Sequence, residues 1–195
     1  MLRLFIALPL EAPAEEALGK IIQDLRPQGG RISWVAPKNI HLTLKFLGDT
    51  EEGMVPDIKG QLDKFSLNYH PIECSIAHLG AFPNLQRPRV IWAGIEKEQE
   101  TLIQMADEMD LRMNKLGWET ENKKFRAHFT LGRIREPKGV GQLTEYVKRY
   151  KFSEIPFKFD RVVLFKSTLT PQGAIYERLH KVMLGRESSS EEFSG

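Results

Sequence analysis

The chain has 195 residues, 41% of them hydrophobic and 28% charged, which suffices for one sizeable core or for two small lobes sharing one. Its net charge of +2 is too small for bulk, nonspecific nucleic-acid binding, and a single cysteine, Cys74, excludes an internal disulfide framework or a multi-cysteine zinc site. No apolar run approaches the roughly 18 residues of a membrane span, so a cytoplasmic protein is the expectation.

In chain order, the apolar start of the chain reads as a buried strand, Leu2–Leu8, rather than as a signal peptide. Ala14, Leu18, Ile21, Ile22 and Leu25 then recur at helical spacing and predict a first amphipathic helix, closed by Pro27 and Gly29. Strand patterns follow over Ile32–Val35 and Ile40–Leu47. Met54, Ile58, Leu62 and Phe65 mark a second helix. Two more strands are predicted over Ile72–Phe82 and Val90–Ile95. Cys74 shares the phase of Ile72 and Ile76 there, as a packed small hydrophobe would. The third helix carries Leu102, Met105, Met109, Met113 and Leu116 and ends at Gly117. The strand His128–Ile134 precedes a fourth helix through Val140, Leu143, Val147 and Tyr150, and strands over Pro156–Phe165 and Ala174–Leu184 complete the pattern. The polar, acidic stretch 185–195 reads as a disordered tail without a catalytic part.

The order of elements repeats. Arg3-Leu-Phe-Ile-Ala-Leu, His41-Leu-Thr-Leu and Pro71-Ile-Glu-Cys return as Arg89-Val-Ile-Trp-Ala-Gly, His128-Phe-Thr-Leu and Pro156-Phe-Lys-Phe, displaced by 86, 87 and 85 residues. The expectation is one bilobal domain over residues 1–184, internally duplicated, with its second half starting near residue 89. A seam between two related lobes is a natural place for a small-molecule site.

Residues two apart on a strand point the same way, so His41 and Thr43 share one face of their strand while Leu42, Leu44 and Phe46 take the other. His128 and Thr130 are likewise set against Phe129 and Leu131. Should the two polar faces meet, two imidazoles and two hydroxyls surround one space. Imidazoles titrate near neutral pH and serve as base and acid together, while short hydroxyls suit nonbridging phosphate oxygens. In-line opening of a cyclic phosphodiester by water fits these parts. One His-x-Thr alone is commonplace; its repetition at matching places carries the reading. No third His, Asp or Glu falls in phase to complete a metal site, so no metal and no cofactor are expected. His70, His78 and His180 have no matching partner and read as surface or core residues.

Trp34-Val-Ala-Pro-Lys-Asn-Ile-His-Leu-Thr-Leu-Lys-Phe-Leu-Gly-Asp and Phe125-Arg-Ala-His-Phe-Thr-Leu-Gly-Arg resemble the paired motifs of the two-histidine phosphoesterases. Two further segments, Phe82–Gly94 and Leu164–Tyr176, resemble the branch of RNA 2′,3′-cyclic phosphodiesterases, also called 2′-5′ RNA ligases. The resemblance runs from about Leu2 to Leu184. It implies an α+β fold of two pseudo-symmetric lobes, each an antiparallel sheet with two outer helices, flanking a V-shaped cleft. It also implies metal-independent conversion of RNA 2′,3′-cyclic phosphate ends, or cyclic nucleotides, to 2′-phosphomonoesters, with 2′-5′ ligation in some members. By the same resemblance His41 is the proton donor, His128 the proton acceptor, and Thr43 and Thr130 bind phosphate; spacing alone leaves the two histidine roles open. A monomer without membrane or obligate protein partner is expected. A non-catalytic nucleotide- or RNA-binding module and a protein-interaction scaffold of the same fold are the competing readings.

Secondary candidates are weaker. Arg133 follows the second motif, but alternation places it opposite His128 unless Gly132 permits a bulge. Lys45 is in phase with His41 and Thr43 and reads either as a solvated lysine or as an extension of a positive rim. Phe82, Tyr176, Trp34 and Trp92 are candidate platforms for a base, and Arg87 and Arg89 for an RNA backbone contact. Between Lys123 and Lys138 six basic residues meet one acidic, Glu136, which suits either an anionic ligand or a charged strand edge.

Overall fold

The computed structural model describes residues 1–171 and 173–185; most of the predicted acidic tail, 186–195, lies outside the described residues. Elements form where the apolar spacing switches between helical and strand period. In order they are β1 (Leu2–Pro9), α1 (Ala12–Leu25), β2 (Arg31–Trp34), β3 (His41–Thr50), α2 (Val55–Ser66), β4 (Ile72–Phe82), β5 (Val90–Ile95), α3 (Gln99–Asn114), β6 (His128–Glu136), α4 (Gly141–Arg149), β7 (Ile155–Phe159), β8 (Arg161–Thr170) and β9 (Gly173–Met183). Proline in the first turn of α1 and of α2 starts each helix where a backbone N–H has no partner to lose.

The strands build two antiparallel sheets, one of order β3-β1-β8-β9 and one of order β2-β6-β5-β4-β7. Neither sheet is one half of the chain. The strand predicted over Pro156–Phe165 is two strands: β7 pairs with β4 in the five-stranded sheet and β8 pairs with β1 in the four-stranded one. The chain changes sheet at Asp160, whose carbonyl accepts from the Leu184 N–H at 2.8 Å and whose carboxylate holds Arg161 at 2.6 Å. Apolar strand residues on both sides of Asp160, alternating before it and continuous after it, hide that switch. The similar segments at Pro71 and Pro156 are neighbours, with Ser75 opposite Pro156.

Helices α1 and α4 pack against the five-stranded sheet, and α2 and α3 against the four-stranded sheet. Alternate residues of both sheets meet the helices in one continuous core, including Leu4, Ile6 and Leu8 of β1, Leu42 and Leu44 of β3, and Phe129 and Leu131 of β6. Phe129, wholly buried, contributes about 1.5–3 kcal/mol by leaving water. The two His-x-Thr strands are thereby pinned on their apolar sides, and their polar faces are left to the cleft.

Candidate active site

His41 opens β3 and His128 opens β6, and the two strands deliver their polar faces to one cavity of about 830 Å³. His41, Thr43, His128 and Thr130 all line it, joined by Phe82, Tyr176 and Arg133. Each imidazole is fixed in the same way. His41 Nδ1 donates to the Asn39 carbonyl at 2.8 Å, and His128 Nδ1 donates to the Arg126 carbonyl at 2.7 Å. A carbonyl only accepts, so Nδ1 carries the proton in both rings and Nε2 is the nitrogen left for a ligand.

The floor under His41 is aromatic. Phe5 and Phe165, with Ala7 and Val163, form a small buried cluster on the cleft face of the four-stranded sheet. The His41 ring stacks on Phe5 at 4.8 Å, and the edge contact with Tyr176 is at 5.4 Å. In the other sheet Phe82 meets His128 edge-on at 4.8 Å and rests on Trp92 at 5.1 Å. Gly80 permits this, because a Cβ there would meet the Trp92 indole at 2.3 Å. Burial lowers the His41 pKa from 6.5 to about 4; the Asn39 carbonyl opposes the fall and the Arg133 guanidinium adds to it. His128 is lowered too, first by burial and then by Arg133, with the Arg126 carbonyl acting the other way. Burial also raises the Tyr176 phenol.

A bulge in each strand reshapes the rest of the site. Ala7 faces Thr43 and Ile6 faces Lys45, which leaves Leu44 without an opposite number in β1. Trp92 faces Thr130 and Ile91 faces Gly132, which leaves Leu131 unmatched in the same relative place. One extra residue inverts the alternation beyond it. Arg133 therefore stands on the cleft side with His128 and Thr130, its partner Val90 also lining the cavity. Gly132 is needed here, since a Cβ would meet Ile32 and Trp34 at 2.8 Å.

Lys45 is also part of the cavity lining, but from a buried position: its backbone pairs with Ile6, and Phe46 takes the cleft side opposite Phe5. The Lys45 side chain is 3% exposed; its ammonium binds Asp110 at 2.5 Å and the Glu119 carbonyl at 2.7 Å. It ties the segment before β6 to α3 rather than offering a free cation to the rim. Asp110 also accepts from the Glu121 N–H at 3.0 Å, completing the tie.

Of the other candidates, Trp34 lines an adjoining groove, and Trp92 lies beneath Phe82 rather than open to a ligand. Arg87 and Arg89 are exposed in the β4–β5 loop and line neither cavity. From the basic run, Lys123, Lys124 and Arg126 border the site, and Arg126 lies over the Phe82 ring at 5.8 Å. His78 pairs with Glu96 and His180 with Asp63. Cys74 is buried, its thiol pushed up to about 12 by burial. Sequence reasoning missed Asn39, whose side-chain amide donates to the Ala174 carbonyl at 3.0 Å while its own carbonyl holds His41. It also missed Phe5 and Phe46. No pattern marks Asn39; Phe46 was hidden by the bulge.

Two imidazoles with free Nε2 atoms, two hydroxyls and a guanidinium about one cavity are equipped to move protons at a bound phosphate. The model of the LigT-like phosphoesterases matches this chain twice, over residues 8–92 and again over 94–176. The chain is a LigT-like phosphoesterase. Two curated relatives of this phosphoesterase share a name. A protein of Methanothermobacter thermautotrophicus called RNA 2′,3′-cyclic phosphodiesterase is 32% identical over 175 residues, 89% of this chain and 94% of its own length. One of Archaeoglobus fulgidus with the same name is 33% identical over 181 residues, 91% of this chain and 98% of its own. Among solved structures, TT0787 of Thermus thermophilus superposes with a TM-score of 0.76 at 27% identity, covering 95% of this phosphoesterase and 100% of that chain.

Proposed function

We propose that this phosphoesterase hydrolyses 2′,3′-cyclic phosphates at RNA ends to 2′-phosphomonoesters, with His128 as proton acceptor and His41 as proton donor. The observation that carries the reading is the matched pair of Nδ1–carbonyl bonds, which leave both Nε2 atoms to one cavity. In the step, His128 Nε2 takes a proton from water, and the water oxygen attacks phosphorus. The bond from phosphorus to the ribose 3′ oxygen breaks, and His41 Nε2 gives that oxygen its proton. The Thr43 and Thr130 hydroxyls donate to the nonbridging oxygens, and Arg133 balances their charge. Phe82 and Tyr176 offer aromatic surface to the terminal nucleoside. A 5′-hydroxyl of a second RNA in place of water turns the same step into 2′-5′ ligation.

Support comes also from the names of the relatives, RNA 2′,3′-cyclic phosphodiesterases in both organisms. The test is the product of a 2′,3′-cyclic mononucleotide, identified by mass and by phosphorus NMR. A 2′-phosphate is expected. A 3′-phosphate would reverse the assignment of the leaving oxygen, and no product from cyclic nucleotides or cyclic-ended RNA would end the enzyme reading.

A further inference from the structure

The cleft does not stop at the catalytic residues. Beyond Phe46, Arg133 and Tyr176 it opens into a second cavity of about 1100 Å³, bounded by β1, β2, β6 and the β8–β9 hairpin. These three side chains, with Asn39, line both spaces, so the two are continuous. Their linings differ in charge. The catalytic cavity mixes its cations with Asp107, Asp110 and Glu121. Among the described residues the second has Arg3, Lys38, Arg133 and Arg135 and no carboxylate at all.

Its walls are also unusually apolar for exposed surface. Phe46, Leu169 and Ile175 are each 60% exposed or more, and all three face this groove, as does the indole of Trp34. Ser33, Ser167 and Thr170 add hydroxyls. Cations that track a backbone, interleaved with surfaces on which bases stack, are what a single strand of nucleic acid requires. Arg3 and Lys38 enter no ion pair among the described residues and are free to meet phosphates. At the opposite end of the cleft Lys45 and Asp110 tie down Glu119 and Glu121, and the lining there is of mixed charge rather than uniformly basic.

We infer that this groove holds the RNA strand leading up to the cyclic end, so that the favoured substrate is a single-stranded oligonucleotide and not a mononucleotide. The inference rests on the proposed hydrolysis for its direction, since the reacting phosphate sits between the histidines and the strand must leave from there. Arg3, Lys38 and Arg135 lie outside the catalytic cavity and meet only the strand.

The test compares wild type with the triple variant Arg3→Ala, Lys38→Ala, Arg135→Ala on a short oligoribonucleotide with a 2′,3′-cyclic end and on 2′,3′-cyclic AMP. Three phosphate contacts steepen the salt dependence of single-strand binding by about 2 on logarithmic axes, which is roughly a 20-fold loss between about 50 and 200 mM salt. The triple variant should lose that component for the oligonucleotide and hydrolyse cyclic AMP at the wild-type rate, which also certifies its fold. Equal oligonucleotide kinetics and equal salt slopes would overturn the inference, and so would parallel losses on both substrates. Fluorescence anisotropy with the same oligonucleotide ending in a 2′-phosphate reads the groove without turnover. Weakened binding by the variant alongside an inactive wild type would keep the groove and sink the hydrolysis; undiminished binding would sink the groove.

Discussion

Filling the cleft with inorganic phosphate or a 2′-mononucleotide should return the proton that burial withholds from His41. In the free protein this imidazole has its pKa lowered to about 4, so it is neutral at pH 7 and cannot yet act as an acid. Carrying it to pH 7 requires about 4 kcal/mol, at 1.36 kcal/mol per tenfold change in proton affinity. One negative charge about 4 Å from the imidazolium, at an effective dielectric of about 20, supplies about 4 kcal/mol. The two magnitudes agree, so a single phosphate charge is enough to make His41 a donor whose bound pKa lies near 7. The His41 ring nitrogens, followed by NMR against pH and assigned with a His41→Gln variant, give both values. The expected midpoint is about 4 without ligand and about 7 with saturating phosphate. A free midpoint at the ordinary histidine value, or one that phosphate leaves unmoved, would refute it.

The same burial sets a pH dependence of stability. Below pH 6.5 the unfolded chain binds a proton that folded His41 refuses down to about 4, so stability is present above 6.5 and falls as pH drops through that window. The loss from His41 is about 3 kcal/mol, and denaturant melts of His41→Gln should fall less over the same range by that amount. Lys45→Ala strands the Asp110 carboxylate, which is 15% exposed, and should cost about 3–5 kcal/mol in urea unfolding. The doubly apolar Lys45→Met, Asp110→Leu variant should recover most of it; equal losses in both would show that the ion pair is not the cause. Thr43→Ala and Thr130→Ala should each lower kcat by about 10²-fold with melting temperature unchanged, and a rise in KM alone would assign the hydroxyls to ground-state binding.

The two His-x-Thr faces that meet at the cavity were legible because strand alternation is a local rule. His41 and Thr43 need only their own strand to share a face, and the repeat at His128 and Thr130 supplied the partner. Helix positions were legible for the same reason: the faces through Leu18, Leu62, Met109 and Leu143 are all buried. What failed depends on pairing between strands. The bulges at Leu44 and Leu131 arise from register against β1 and β5, and they exchanged the places expected for Lys45 and Phe46 while admitting Arg133. Asp160 looks like any strand residue until β4 and β1 are known to lie in different sheets. Asn39 acts through its backbone carbonyl, which every residue possesses, so composition cannot flag it.

Kinetics of His41→Ala, His128→Ala and the double variant on a cyclic-ended substrate address the central claim most directly. Two groups that move protons in one step act as a unit, so each single variant should lose about 10²–10⁴ in kcat and the double variant no more than the worse single. Near-normal turnover in either single variant, or losses that multiply in the double, would contradict the claim that both imidazoles serve one phosphorus.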